Sequence, residues 1–153
     1  MRVPYVLFVA STPQPSLGGG SVRARPILPV RVYGPVGDTL IDGFLDTASD
    51  DVILPAWVAP VIGIDLLPLP EQPIQLAGRP HPVRCRFAPV SLRITDGVQE
   101  TYEWPAVVGF VPVPMKRALC GHAGFLQFFD ANFRGAARDV VLATNSAFAG
   151  RQI

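Results

Sequence analysis

At 153 residues, with 49% hydrophobic and 16% charged side chains, the chain can bury one core and is too short for two ordinary domains. That balance excludes a disordered chain, and a formal net charge of +1 without a basic or acidic block gives no electrostatic support to binding nucleic acid or a membrane surface. The 17 prolines exclude a helical bundle, because helix interiors do not hold them.

Residues 3–10 are apolar and follow Arg2, but the run is short and soon meets Pro13 and Pro15. It reads as an N-terminal strand rather than an export signal. No run approaches the roughly 20 apolar residues of a membrane span, so a soluble cytoplasmic protein is expected. Residues 11–21, with glycine at 18–20, read as a flexible connection to the main body.

From Pro26 onward, Pro and Gly recur roughly every 8–12 residues, the spacing of an all-β domain. Residues 27–33 and 39–45 read as paired strands around a Gly-Pro-Val-Gly-Asp turn, the second delivering Asp46 at its end. Residues 55–59 are a short helix candidate with Pro55 at its start. Residues 72–76 and 83–87 form the arms of a hairpin around 77–82, and 89–94 with 101–108 a second one, turned by Asp96-Gly97. In 121–129, Phe125, Phe128 and Phe129 fall at i, i+3 and i+4, which predicts a second helix. Residues 132–134 and 139–143 make a last hairpin. The expected division is a strand and linker over 1–25, one all-β domain over 26–145 with one or two short helices, and a tail over 146–153.

Two stretches carry chemistry. In Leu45-Asp46-Thr47-Ala48-Ser49-Asp50-Asp51, a carboxylate stands directly behind buried strand residues, where it is costly unless compensated. The other is Leu119-Cys120-Gly121-His122. Cys85 and Cys120 lack Cys-x-x-Cys spacing, and with only two histidines they build neither a disulfide scaffold nor a zinc cluster. They read as buried small hydrophobes. No metal and no cofactor are expected, and no nucleophile-elbow, phosphate-loop or dinucleotide-binding motif is present.

These two stretches, with strand, Asp loop, hairpin, strand and Gly-led helix in that order over about 26–144, resemble the retropepsins, half-length aspartic peptidases that complete their site by dimerising. The resemblance implies an acid-protease half-barrel and an endopeptidase acting on extended peptides. Asp46 would be catalytic, with Thr47 bracing the loop across the dimer and Ala48 in place of the commoner glycine. Asp50 and Asp51 would serve the substrate side, Asp50 holding the loop by an ion pair and Asp51 lining a subsite; a solvated turn is the alternative for both. Ala77, Gly78 and Arg79 would belong to a flap over the substrate, stiffened here by Pro80 and Pro82. Gly121 and His122 would open the helix beneath the catalytic loop. His122 replaces the family's usual arginine, so a contact with Asp50 would depend on pH. Apolar pockets are expected from Ile53, Leu54, Ile74 and Leu76.

The motif occurs once. An aspartic peptidase needs two carboxylates sharing one proton, so the partner must come from an identical chain across a two-fold axis. A retropepsin-like dimer that binds peptides without cleaving them is the rival reading, because fold does not fix function.

Overall fold

Alternation of apolar and polar residues decides most of the strands. The computed structural model describes residues 1–153. In strand β4 (Ile27–Tyr33), Leu28, Val30 and Val32 point inward while Pro29 and Arg31 face out. This strand follows β1 (Arg2–Pro4), β2 (Val6–Val9) and β3 (Val22–Arg25), and pairs antiparallel with β5 (Asp38–Leu45), Tyr33 opposite Asp38. Next come β6 (Val52–Pro55), a one-turn helix α1 (Val58–Val61), β7 (Gln72–Ile74), β8 (Val83–Thr95) and β9 (Thr101–Val111). The chain ends with β10 (Ala118–Cys120), β11 (Phe129–Arg134), β12 (Asp139–Thr144) and β13 (Arg151–Gln152).

Strands β9, β6, β10, β5, β4 and β8 are neighbours in that order, and β8 pairs with β9, so the sheet closes into a barrel. Inside it pack Leu28, Val32, Leu54, Leu92, Trp104 and Phe110, each at most 1% exposed. A second sheet, β1-β12-β11, is tied by Asp139, which is 2% exposed and accepts hydrogen bonds from Arg134 and Arg2. The architecture is all-β, as expected, and no helix is long and apolar enough to cross a membrane.

Several local expectations change. The N-terminal apolar run is two strands, because Val3 joins the β12 sheet while 6–9 turn away to pair with β3. Residues 10–21 are the connection of that hairpin, carrying a 3-10 turn at Pro15–Leu17, and not a free linker. The helix starts at Val58, since Pro55 still belongs to β6 and pairs with Val111. The two strands expected over 83–94 are one: Pro89 is exposed and opposite Val107, and a proline φ near about −65° suits extended backbone. The tail expected over 146–153 returns to the barrel through β13, with Gly150 packed so closely that a Cβ would lie 2.2 Å from the Glu103 carbonyl.

The largest departure is the helix expected over 121–129. Only a 3-10 turn forms, at Leu126–Phe128, and Phe129 already begins β11. Gly124 takes φ +89°, which interrupts a right-handed helix. Its carbonyl accepts the Trp104 indole N–H at 2.8 Å. Phe125 and Phe129 then pack on Trp104 with ring centroids 5.2 and 5.3 Å away. The phenylalanine spacing therefore reflects burial around one tryptophan, not a helical face.

Candidate active site

Strand β10 is inserted between β5, to which it runs parallel, and β6, to which it runs antiparallel. The loop joining β5 to β6, residues 46–51, is thereby held against the residues that follow β10. Asp46 N–H donates to the Cys120 carbonyl at 3.2 Å, and His122 N–H to that of Ser49 at 2.9 Å. Ala123 N–H donates to the Asp50 carbonyl at 2.7 Å and receives Val52 N–H on its own carbonyl at 3.1 Å. Gly121 lies between the strands of this lattice: a Cβ there would sit 2.3 Å from the Asp51 carbonyl oxygen and 2.5 Å from that of Ser49. Only glycine fits.

Within the loop, Ala48 N–H donates to Asp46 Oδ1 at 3.0 Å, and the Ser49 hydroxyl donates to the Asp51 carbonyl at 2.9 Å. Asp46 is half-buried, whereas Thr47, Ala48 and Asp50 are exposed. The carboxylate is thus oriented from one side by its own loop and open on the other.

Two adjoining recesses of about 300 Å³ each run beside it. The first is lined by Asp46, Ala48 and Ser49 on one wall and by Gln75, Leu76, Ala77 and Arg79 on the other, with Val113, Met115 and Leu119 closing it. The second carries Asp50 and Asp51 against Ile53, Pro73 and Ile74. The loop over 75–82 therefore faces the Asp46 loop across the cleft. It turns at Ala77-Gly78, with Gly78 at φ +77°, and the Gln75 side-chain amide donates to the Arg79 carbonyl at 2.8 Å.

Electrostatics separates the neighbouring acids. Burial, and then the charge of Asp50, raises the Asp51 carboxyl above its ordinary value. Burial, with the Asp51 charge as a second cause, pushes the Cys85 thiol up to about 11. Burial alone puts Cys120 at about 12. Neither thiol is a nucleophile near neutral pH. Each fits against a glycine of the neighbouring strand, Cys120 beside Gly43 and Cys85 beside Gly109.

Of the residues singled out in the sequence, Asp46, Ala48, Asp50, Asp51, Ala77 and Arg79 are brought to the cleft, and Gly121 lies directly beneath its floor. Thr47 and Gly78 are exposed beside it without lining it. Ile53, Ile74 and Leu76 line it, but Leu54 is wholly buried in the barrel. The contact expected between the Asp50 and His122 side chains does not form: both are exposed, and no ion pair within 4 Å includes either. The backbone bonds of Ser49 and Asp50 to residues 122 and 123 join the two segments instead. The sequence reading gave no role to Pro73, Gln75, Val113 or Met115, and it quoted Ser49 and Leu119 within its two stretches without assigning either to the cleft. For Leu119 the alternation with buried Ala118 and Cys120 was available as a signal; for Val113 and Met115 there was none.

No protein-family model matches the chain, and no curated protein matches it. Among solved structures it is similar to a retropepsin-like aspartic protease from Rickettsia conorii, at 14% identity over 92% of each chain with a TM-score of 0.54. It is also similar to the EIAV protease complexed with the inhibitor HBY-793, at 17% identity over 64% of this chain and 82% of that one, with a TM-score of 0.45. The likeness to the Rickettsia protein establishes the fold as retropepsin-like.

Proposed function

We propose that this chain is one subunit of a homodimeric aspartic endopeptidase. The observation that carries the reading is the placement of Asp46: it ends a barrel strand, is oriented by Ala48 N–H, and opens into a cleft faced by the 75–82 loop. The chain holds a single Asp-Thr-Ala, so a second Asp46 arrives from an identical subunit. Like charges about 3 Å apart do not both ionise, and the pair holds one proton as a unit. The ionised carboxylate takes a proton from water as its oxygen attacks the scissile carbonyl, and the protonated one donates to the carbonyl oxygen. Collapse of the tetrahedral intermediate returns a proton to the leaving nitrogen and breaks the C–N bond.

In this reading Thr47, exposed beside Asp46, braces the paired loops across the two-fold axis, and Gly121 with the backbone of His122 supports them from below. Ala77, Gly78 and Arg79 form a flap, and an extended peptide lies between it and the Asp loop, bound by strand-like backbone hydrogen bonds. Asp50 and Asp51 line one recess on the substrate side.

The deciding experiment is cleavage of a peptide library between about pH 4 and 7, read by mass spectrometry, for the parent and for Asp46→Asn. Cleavage that a statine-type inhibitor blocks, and that falls by roughly a thousandfold or more in Asp46→Asn while the dimer mass persists, is the expected result. A folded dimer without cleavage in the parent overturns it and leaves a peptide-binding module.

A further inference from the structure

Arg79 is set apart from the other arginines of the chain. Except for Arg138, each of those meets a carboxylate, a side-chain amide or an aromatic ring. The Arg79 guanidinium has no carboxylate within 4 Å and no ring beneath it, yet it lines the recess that holds Asp46. An exposed arginine is ordinarily a solvated one, but the backbone of this one is pinned. Its N–H closes a turn on the Leu76 carbonyl at 3.1 Å, and Gly78 supplies the φ of +77° that the turn requires. The Gln75 amide holds the Arg79 carbonyl at 2.8 Å.

The remaining walls of that recess define what the guanidinium meets. Leu76, Val113, Met115 and Leu119 are apolar, and the Gln75 amide nitrogen is already bonded to the Leu76 and Arg79 carbonyls. Arg79 is the one cation lining either recess, and its side-chain donors are free. A guanidinium stays charged at any working pH, and its planar fork matches a carboxylate with two parallel hydrogen bonds. We infer that Arg79 selects an acidic substrate: the recess beside Asp46 takes a glutamate next to the scissile bond, its methylenes on Val113, Met115 and Leu119 and its carboxylate on the Arg79 guanidinium. The inference rests on the peptidase reading above and adds the class of peptide that is cut.

Two features of the cleft favour that placement. Only the first recess is lined by Asp46, so the side chain it takes belongs to a residue flanking the bond that is cut. The second recess carries Asp50 and Asp51 and no basic residue, so a glutamate is repelled there. Selection of an acid is thereby confined to the residues flanking the cut. Asp46 shares the first recess with Arg79, but in the dimer the two Asp46 side chains hold one proton between them and carry a single charge. Each subunit meanwhile brings its own Arg79, so the balance of charge beside the cut bond favours an acid.

A library of peptide pairs that differ only by glutamate or glutamine next to the central bond tests it, with cleavage followed by mass spectrometry for the parent, Arg79→Gln and Arg79→Glu. Beside it, two statine-type inhibitors that differ only in that same side chain are titrated by calorimetry. The parent should cut the glutamate member with a kcat/KM roughly tenfold above its glutamine partner, and bind the glutamate inhibitor tighter by a similar factor. The ratio is taken within each variant, so a general loss of activity cancels. Arg79→Gln should abolish both preferences and Arg79→Glu should invert them. Raising the salt to about 0.5 M should shrink those of the parent. A parent that cleaves without preferring glutamate, or a preference that Arg79→Gln leaves unchanged, overturns the assignment of Arg79 and leaves the peptidase reading intact. A parent that cuts no peptide yet prefers the glutamate inhibitor, with that preference lost in Arg79→Gln, overturns the peptidase reading and keeps the acid-selecting recess. A parent that cuts no peptide and binds neither inhibitor overturns both.

Discussion

The two walls of the cleft are held by different forces. The Asp46 loop is fixed by backbone: four amide hydrogen bonds tie residues 46–52 to residues 120–123, and Gly121 lets the two segments touch. The 75–82 loop is fixed mostly by side chains. Its strands pair over only three residues, Gln72 to Ile74. Beyond them stand the Gln75 amide, a small cluster around Ile53, Cys85 and Val111, and Glu71, which meets Arg86 at 2.8 Å and Arg84 at 3.1 Å. A backbone lattice has one arrangement and gives no room to shift. Exposed side-chain contacts contribute little each and release without unfolding anything. The wall that carries the carboxylate is the more tightly tied of the two.

Gly121→Ala attacks the rigid wall and should have the largest effect. The new methyl group would fall 2.3 and 2.5 Å from two backbone carbonyl oxygens, neither of which can rotate away. Strain of this kind costs about 3 kcal/mol, a fall in Tm of about 6–12 °C for a chain of this size. Peptide cleavage should be lost even where the protein stays folded, because the displaced carbonyls belong to Ser49 and Asp51. A variant that melts and cleaves like the parent would show that the lattice does not hold the loop.

Glu71→Gln attacks the other wall. Glu71 and both its partners are partly exposed, so the change should cost less than about 1 kcal/mol in a denaturant titration. Its effect should instead appear locally, as faster amide hydrogen exchange over residues 72–85, and as a several-fold rise in KM with kcat nearly kept. If exchange quickens over the whole barrel instead, the ion pairs belong to the general stability of the fold and the division between the walls fails.

The same division explains what could be read from the sequence. Strands β4 and β5 and the turn around Asp96 and Gly97 follow local rules: alternation along the strands, and an Asp96 carboxylate accepting three successive backbone N–H groups. The Asp46 motif was legible for a similar reason, since its parts are adjacent in the chain. The region after Gly121 was misread because its three phenylalanines satisfy a helical spacing while packing around Trp104, about 20 residues earlier in sequence. Val113 and Met115 were missed because the cleft acquires them only when the chain crosses from β9 to β10. The Asp50–His122 contact was expected from the resemblance, with His122 in the place of an arginine, at a junction where the backbone does the joining.

Asp51 stands where the two walls meet, and its titration gives the smallest but most selective probe. Burial and the neighbouring Asp50 raise its carboxyl in the folded chain above the ordinary 3.8. The native state therefore binds this proton more tightly than the unfolded state does. Its contribution to stability is fully present below the unfolded value and is lost as pH rises through the folded one. Asp51→Asn keeps the shape and removes the charge. The variant should melt close to the parent near about pH 3 and progressively above it toward about pH 7, as the parent alone must ionise a partly buried group. A Tm difference that stays constant across that range would mean that Asp51 is solvated in the folded chain, and that the second recess is open to water rather than closed by Ile53 and Ile74.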